Sequence, residues 1–490
     1  MLASLAGFTL VVGCSSTGAG RASGAAEGTI VTVDAARPGT ALPTDFLGLS
    51  FEASVLGSDL FDPARSDLPA LMRDLGAGRL RFGGDSVDRV AAWTGDPTAP
   101  LPSWARSAVT PADLARLGAL TAATGWKVDL GLTLGHPDPA VAAAEASAAR
   151  RLMGAGLATV QLGNEPDLLG GVVPRYDEAA YRSEARAYET AIAASAAGVH
   201  VSGPDTADAG LLASYAADEG SALVLLTQHF YPLTRCGGAR PTIDQLLSPA
   251  TVEAEARLGA SAAAAARARR VPVRIDETNS ASCGGQDGVS NTLASALWIV
   301  EYLVTVAQRG VAGVGIQGGL AACRGYTPVC VPGAAGAAAG TAPGIDPVAD
   351  ASLGAAPADH GRLAAQPDFY GLLLVHELEG GRWLPLTTNQ HGPAWEAADE
   401  TPDGTVRVVI VNPSATAVDI TFRGLGARRR ATVQWLTGPS LAATAGVSFG
   451  GAEVGADGGW QPRVESPLAA GADRVSVPAA TAALLTVRAP

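Results

Sequence analysis

Eight short runs of β-forming or apolar residues alternate with longer runs of helix formers between Phe46 and Glu377, and a train of short alternating segments follows Gly380. These patterns predict an α/β fold, a (β/α)8 TIM barrel with a C-terminal antiparallel β-sandwich domain. An open doubly wound sheet is the rival for the first pattern. No Gly-rich dinucleotide fingerprint follows the first strand, which weighs against it. A chain of 490 residues has room for both parts.

The N-terminus comes first. Leu2 to Gly13 form a short apolar run, closed by Cys14 and followed by the small, polar stretch Ser15–Gly28. The run is too short to span a bilayer and reads as a secretion signal. Leu10-Val11-Val12-Gly13-Cys14 resembles a bacterial lipobox, which makes Cys14 a lipidation candidate. A plain signal peptide with an incidental Cys is the alternative. The basic segment usual before such a run is missing, so the true translation start stays open. Residues 1–28 are expected to be signal and flexible tether. The protein is expected to be exported, as an extracellular or cell-surface lipoprotein of a bacterium, with membrane contact only through that anchor.

Thr29–Asp34 precedes the first barrel strand, so residues 29–44 are expected to send a strand into the sandwich. The barrel spans 45–379. Its strands are expected at Phe46–Phe51, Arg79–Phe82, Val128–Leu134, Thr159–Gly163, Val199–Gly203, Leu223–His229, Pro272–Asp276 and Ala312–Gln317. Helices are expected at Pro69–Leu75, Pro111–Thr124, Pro139–Met153, Asp177–Ala196, Asp208–Glu219, Gln245–Arg270, Asn291–Gln308 and Pro367–Glu377. Several open on Pro, or on Asp or Asn before the run, as helix N-termini do. Val331–Gln366 is rich in Gly, Ala and Pro and falls in the loop after strand eight, where length usually signals function or mobility. From 380 to 490 the strands are expected at Val406–Val411, Val418–Phe422, Ala431–Leu436, Arg474–Val477 and Ala483–Val487. Core packing is the better reading of Trp383, Trp395 and Trp460.

Lys and Arg total 34 against 47 Asp and Glu, a net charge of −13. With no basic tract, nucleic acid and long polyanions are poor partners. Setting Cys14 aside leaves Cys236, Cys283, Cys323 and Cys330, and an even count in an exported chain suggests two disulfides. Three pairings are possible. The short spacing favours Cys323–Cys330, which leaves Cys236–Cys283; free thiols are the alternative. No His sits at ligand spacing from these cysteines, so no metal is expected, and no cofactor is implied.

Barrel active sites sit at the C-terminal ends of the strands. Those ends offer Glu52, Gly83-Gly84-Asp85, Asn164-Glu165, His229 with Tyr231, Glu277 and Gln317. The set has neither a Ser-His-Asp order nor a metal cluster. It is rich in carboxylates, which glycosidic cleavage needs in pairs: one protonated to serve the leaving oxygen, one to meet the developing oxocarbenium ion. Glu165 and Glu277 are the pair expected to meet across the mouth from strands four and seven. Asn164 is placed for a sugar 2-OH. Asp276 rivals Glu277, and strand alternation predicts that only one of them faces the axis. Tyr231 is placed to hold the nucleophile ionised. Gln317 and Tyr326 follow strand eight, within reach of hydroxyls or a carboxylate. A satisfied core His and surface polar residues are the bland readings of His229, Gln317 and Tyr326.

At this point the chain resembles glycoside hydrolase family 79, the β-glucuronidase and heparanase group of the large retaining barrel clan. The strings that carry the likeness are Leu80-Arg81-Phe82-Gly83-Gly84-Asp85, Gln161-Leu162-Gly163-Asn164-Glu165-Pro166-Asp167 and Gln228-His229-Phe230-Tyr231-Pro232. They continue in Asp276-Glu277-Thr278-Asn279-Ser280-Ala281-Ser282-Cys283-Gly284-Gly285, Gln317-Gly318-Gly319 and Phe369-Tyr370-Gly371-Leu372-Leu373-Leu374. The resemblance implies Glu165 as acid/base, Glu277 as nucleophile, and hydroxyl contacts from Asn164, His229, Tyr231 and Gln317. It also implies a carboxylate nest of backbone N–H groups at Cys283 and Gly284 with Tyr326. Some members carry a Tyr where this chain has Ser282, which leaves the sugar open. The expected function is a retaining exo-β-glucuronidase acting on short glycan ends or small glucuronides. A β-glycosidase of a neutral sugar (glucoside, xyloside or arabinofuranoside) and a non-catalytic glycan-binding lipoprotein are the alternatives.

Overall fold

The structure is a computed structural model that describes residues 29–218, 221–320, 322–333, 361–389, 392–425, 430–463, 466–468 and 473–488. Cys14 and the expected signal and tether lie outside them, as do residues 334–360 of the long loop.

Eight parallel strands close into a barrel: β1 (Gly48–Glu52), β2 (Arg79–Gly83), β3 (Lys127–Leu132), β4 (Leu157–Leu162), β5 (Val201–Thr206), β6 (Leu225–Phe230), β7 (Val273–Thr278) and β8 (Gly313–Gln317). Each coincides with one of the eight expected runs, its ends shifted by at most three residues. Ring closure is made by β8 on β1, with Ile316 opposite Leu49 and Gln317 opposite Ser50. The outward side chains, among them Leu80, Phe82, Leu130 and Leu162, are buried under the surrounding helices.

The helix starts follow local chemistry. Thr110 and Asp113 form a reciprocal capping box at Pro111–Thr124, and Asp138 accepts from Ala140 and Val141 ahead of Pro139–Met153. The single helix expected over Gln245–Arg270 is instead two, Ile243–Leu246 and Pro249–Arg269. Pro249 has no N–H to continue the first helix, and its ring excludes the carbonyl four residues back. Ser248 caps the second helix through the Thr251 N–H. Leu293–Arg309 is buried along almost its whole length, since Pro249–Arg269, Pro367–His376 and the C-terminal domain all pack on it.

The C-terminal domain is a pair of sheets. The larger runs Arg382–Leu384, Trp395–Glu400, Val406–Asn412, Thr481–Arg488, Arg430–Thr437 and Ser448–Phe449, with Ser466–Pro467 also on Arg430–Thr437. The smaller runs Leu386–Thr388, Thr29–Val33, Val418–Arg423 and Arg474–Val477. Thr29–Val33 therefore sits inside the second sheet, parallel to Val418–Arg423 and antiparallel to Leu386–Thr388. Val31, Val33, Ile410, Ile420, Val433 and Leu485 fill the space between the sheets. Trp395–Glu400 reads poorly as a strand because Ala, Glu and Asp dominate it; six-residue pairing with Val406–Asn412 overrides that preference.

Barrel and sandwich share one apolar core, since Val409, Val411, Leu436 and Leu484 cluster with the barrel helices. Backbone bonds from Leu293 to Ala443 and from Ala294 to Leu441 tie the two, as does Trp460 N–H to Asp74 at 2.6 Å. Trp383 is buried, and Trp460 stacks on Phe449 at 5.4 Å. Cys236–Cys283 and Cys323–Cys330 are disulfide-bonded, as the spacing suggested. No helix among the described residues is long and apolar enough to cross a membrane.

Candidate active site

The C-terminal ends of the strands bring Glu165 and Glu277 together. One oxygen of each and a ring nitrogen of His229 all lie within 4.8 Å of one another. Glu165 follows β4 through Gly163 and Asn164. It adopts φ 46°, in the left-handed region that disfavours a residue with a Cβ. Its N–H donates to the carbonyl of Asp205, also at positive φ, at 2.8 Å. Strained backbone held by hydrogen bonds is what a fixed reacting group requires.

Glu277 is the more anchored of the pair. Arg81 Nη1 donates to its Oε2 at 2.7 Å, and the Tyr231 hydroxyl donates to its Oε1 at 2.9 Å. Burial opposes its ionisation, but His229, Arg81 and Tyr231 outweigh burial and hold the carboxyl below its usual value. Glu165 goes the other way. Burial raises it, and Glu277 and Asp85 add to the rise against the opposing His229. His229 Nδ1 lies 3.0 Å from Glu165 Oε1. Burial opposes protonation of that ring, but Glu277 and Glu165 prevail and push it up to about 9. The two carboxyls thus have environments that drive their pKa values apart, the physical signature of an acid and a nucleophile.

Arg81 is the residue that sequence reasoning passed over. It is 1% exposed and spends its donors on Gln161 (3.1 Å), Ser50 (3.1 Å), Glu277, Asn164 (2.7 Å) and Asp205 (3.1 Å). A lone Arg between outward-facing Leu80 and Phe82 must point into the barrel, where only carboxylates can keep it. That signal was available in the sequence.

Asp276 corrects an expectation. Both it and Glu277 reach the inside of the barrel. The β7 ladder slips between Ile275 and Glu277, a bulge that cancels the alternation. Asp276 accepts from Gln161, lies 3.7 Å from Arg81 Nε and 3.8 Å from His229 Nε2, and is pushed well above its usual range by burial and by Asp205. It forms a layer beneath the reacting pair.

The remaining candidates ring these groups. Glu52 ends β1, is buried, and accepts from Ser86 N–H at 2.9 Å; burial pushes it up to about 8. A Cβ on Gly84 would strike its carboxyl at 2.3 Å, so only Gly leaves it room. Asp85 is partly exposed and pairs with Arg89 at 3.3 Å. Asn164 gives Oδ1 to Arg81, which leaves its amide N–H groups as donors. Gln317 is buried with an unpartnered Oε1. Asn279, not singled out from sequence, donates to the carbonyls of both Gln317 and Tyr326 and fastens the loop after β8 to β7.

Cys283 and Gly284 have φ 61° and 85°, and Gly325 packs directly on the Gly284 carbonyl. Tyr326 follows that contact and stacks on Tyr231 at 6.0 Å. The three residues expected to form a carboxylate nest therefore converge beside the Tyr231 that holds Glu277. The Ser282 hydroxyl turns aside, to Thr234 at 2.8 Å and Cys236 at 3.3 Å. Glu165, His229 and Glu277 could also face a cation. Arg81 Nη1 already brings a positive charge to 2.7 Å from Glu277.

Residues 395–484 match the family model described as the glycosyl hydrolase family 79 C-terminal beta domain. Among solved structures the chain is similar to a 4-O-α-L-rhamnosyl-β-D-glucuronidase from Fusarium oxysporum 12S. That match has TM-score 0.73 and 18% identity, over 93% of this chain and 100% of that one. It is also similar to a GH51 arabinofuranosidase from Xanthomonas axonopodis pv. citri, with TM-score 0.64 and 14% identity over 94% and 100% of the two chains. A monomeric β-xylosidase from Caulobacter crescentus CB15 aligns with TM-score 0.58 and 18% identity, over 94% and 99%. No curated protein matches the chain. The structural likenesses establish a shared fold. The domain match agrees with the resemblance read from the barrel motifs, and together they support a glycoside hydrolase.

Proposed function

We propose that this glycoside hydrolase is a retaining exo-β-glucuronidase. The observation that carries the reading is the opposed pair: Glu277 held low by His229, Arg81 and Tyr231, Glu165 shifted toward its protonated form by burial, with an oxygen of each inside 4.8 Å. Retaining enzymes place these groups about 5–5.5 Å apart, and inverting ones leave about 6.5–9.5 Å for a water.

In the first step a Glu277 oxygen bonds to the anomeric carbon as the glycosidic C–O bond breaks. The Glu165 proton passes to the leaving oxygen. In the second, Glu165 takes a proton from water, the water oxygen bonds to the anomeric carbon, and Glu277 is released as carboxylate. Asn164 serves the 2-OH. Protonated Glu52 and the unpaired Gln317 Oε1 offer a donor and an acceptor to the other hydroxyls. The N–H groups of Cys283 and Gly284 with Tyr326 take the glucuronate carboxylate.

Ser282 favours a second reading. Its side chain offers nothing toward the cleft where a Tyr hydroxyl would stand, and a neutral β-glycoside would need less there. Chromogenic β-glucuronide, β-glucoside, β-xyloside and α-arabinofuranoside, read with product stereochemistry by NMR, separate the two. Glucuronide cleavage with retention is expected. Preference for a neutral sugar discards the nest; inversion discards the double displacement.

A further inference from the structure

A second recess lies at the opposite end of the barrel from the carboxylate pair. It is an open cavity of about 360 Å³ lined by Arg79, Lys127, Leu157, His200, Leu225 and Pro272 among others. Arg79, Lys127, Leu157 and Leu225 are the first residues of β2, β3, β4 and β6. Pro272 directly precedes β7 and His200 directly precedes β5. The walls therefore belong to the N-terminal mouth of the barrel, far from the chemistry.

Its charge is inverted relative to the rest of the molecule. The chain carries −13, yet Arg79, Lys127 and Arg150 all line this space, with His200 beside them, and no Asp or Glu does. Behind the wall, Arg79 is offset by Asp129 at 3.3 Å and Asp45 at 3.6 Å. Lys127 and Arg150 have no carboxylate partner among the described residues. Cations beside helix ends are commonplace, and Arg150 does give Nη1 to the carbonyl of Gly154. Its other nitrogens are not spent that way. Nε and Nη2 stand 3.9 Å from where a Cβ on cavity-lining Gly198 would be. Two cations without a carboxylate partner, beside Arg79 and around a recess that no Asp or Glu lines, call for an anionic acceptor.

We propose that the N-terminal mouth of the barrel binds a small dianion, a phosphate or sulfate group either free or carried on a sugar. Arg79 and Arg150 would form planar contacts, with Lys127 as a mobile charge at the rim. The size of the recess admits a group of monosaccharide bulk.

The test is titration of the whole chain with inorganic phosphate, sulfate and glucose 6-phosphate, by calorimetry and thermal shift. Each is set against potassium chloride at matched ionic strength. Saturable binding of phosphate or sulfate is expected, weakened at least tenfold in Lys127→Glu and in Lys127→Glu/Arg150→Glu. Circular dichroism checks that each variant is folded, and the single variant stands if the double does not fold. Tighter binding of glucose 6-phosphate than of phosphate identifies a carried group; equal binding identifies the free ion. A thermal shift no larger than that of chloride overturns the proposal. So does phosphate binding that survives Lys127→Glu unchanged. The readout is independent of glycoside cleavage, so this proposal and the glucuronidase reading fail separately.

Discussion

Arg81 and Glu277 face one another at 2.7 Å from strands on different sides of the barrel, and Tyr231 holds the other oxygen of the same carboxylate. Both groups are almost wholly buried, and His229 and Arg81 together hold that carboxylate below its usual value against the burial.

Exchange of Glu277 for Gln should lower kcat by several orders of magnitude with little change in fold. Glu165→Ala should keep the first step on substrates with good leaving groups, which need no proton, and slow the second, where water loses its base, so the glycosyl-enzyme should accumulate. Azide should then rescue Glu165→Ala to a β-glycosyl azide and Glu277→Ala to an α-glycosyl azide. The two products, distinguished by NMR, assign the roles; the reverse pattern exchanges them.

Arg81→Met removes the cation from a cluster that includes Asp205, Asp276 and Glu277. Uncompensated buried charge costs about 3–5 kcal/mol, so the melting temperature should fall steeply. Arg81→Lys keeps the charge and loses the planar fork, so it should fold better and remain slow. Its acidic limb in kcat/KM should move to higher pH, because Glu277 is then less well held in its ionised form. An unmoved limb would show that Arg81 is structural only.

Tyr231→Phe deletes one hydrogen bond to Glu277 and keeps the ring stacked on Tyr326. A bond to a charged group contributes about 1.5–3 kcal/mol, which corresponds to roughly tenfold or more in rate. The acidic limb should again rise. Steady-state kinetics across pH measures both effects.

Glu255 and Glu301 meet in the packing between Pro249–Arg269 and Leu293–Arg309, with Trp298 Nε1 donating to Glu255 at 2.7 Å. Burial raises both carboxyls, Glu301 to about 7 and Glu255 well above its usual value. The folded state therefore holds protons that the unfolded state has released above about pH 4.3. Stability from this pair is complete below that pH and is lost as pH rises through the folded values, near 7 and beyond. Glu301→Gln should flatten the decline, with a higher melting temperature at pH 8 than the parent. Parallel melting curves from pH 4 to 9 check it.

Cys236–Cys283 fixes the positive-φ residue whose N–H belongs to the proposed nest. Cys236→Ser should raise KM for a glucuronide more than for any neutral glycoside the enzyme accepts. Opening this closed loop should also cost about 4 kcal/mol in stability. Equal KM effects on both substrate types would remove Cys283 from carboxylate recognition.

Periodicity made the barrel legible. Each β run carries a helix-forming run behind it, and strand ends named in order already collect Glu52, Asn164, Glu165, His229, Tyr231, Glu277 and Gln317. What stayed hidden was depth. Gln161, Asp205 and Asp276 lie one layer beneath the mouth, and their meeting with Arg81 depends on contacts between residues far apart in sequence. The β7 bulge could not be inferred from Val273-Arg274-Ile275-Asp276-Glu277, where strict alternation gives a different and wrong inner face for Asp276. Short strands such as Arg382–Leu384 and Leu386–Thr388 carry too few residues to show a period at all.

Thr29–Val33 lies between Leu386–Thr388 and Val418–Arg423, so the sandwich borrows a middle strand from the opposite end of the chain. During synthesis that segment emerges ahead of the barrel and waits, unpaired, until nearly the whole barrel has followed it. The smaller sheet can close only after its last strands arrive, and the catalytic barrel is thereby clasped between two pieces of one domain. A fragment of residues 380–490 would be a sandwich with a missing stave, and a barrel cut out at 45–379 would bare the apolar flank of Leu293–Arg309. Neither part is a cassette that can be lifted out and moved elsewhere.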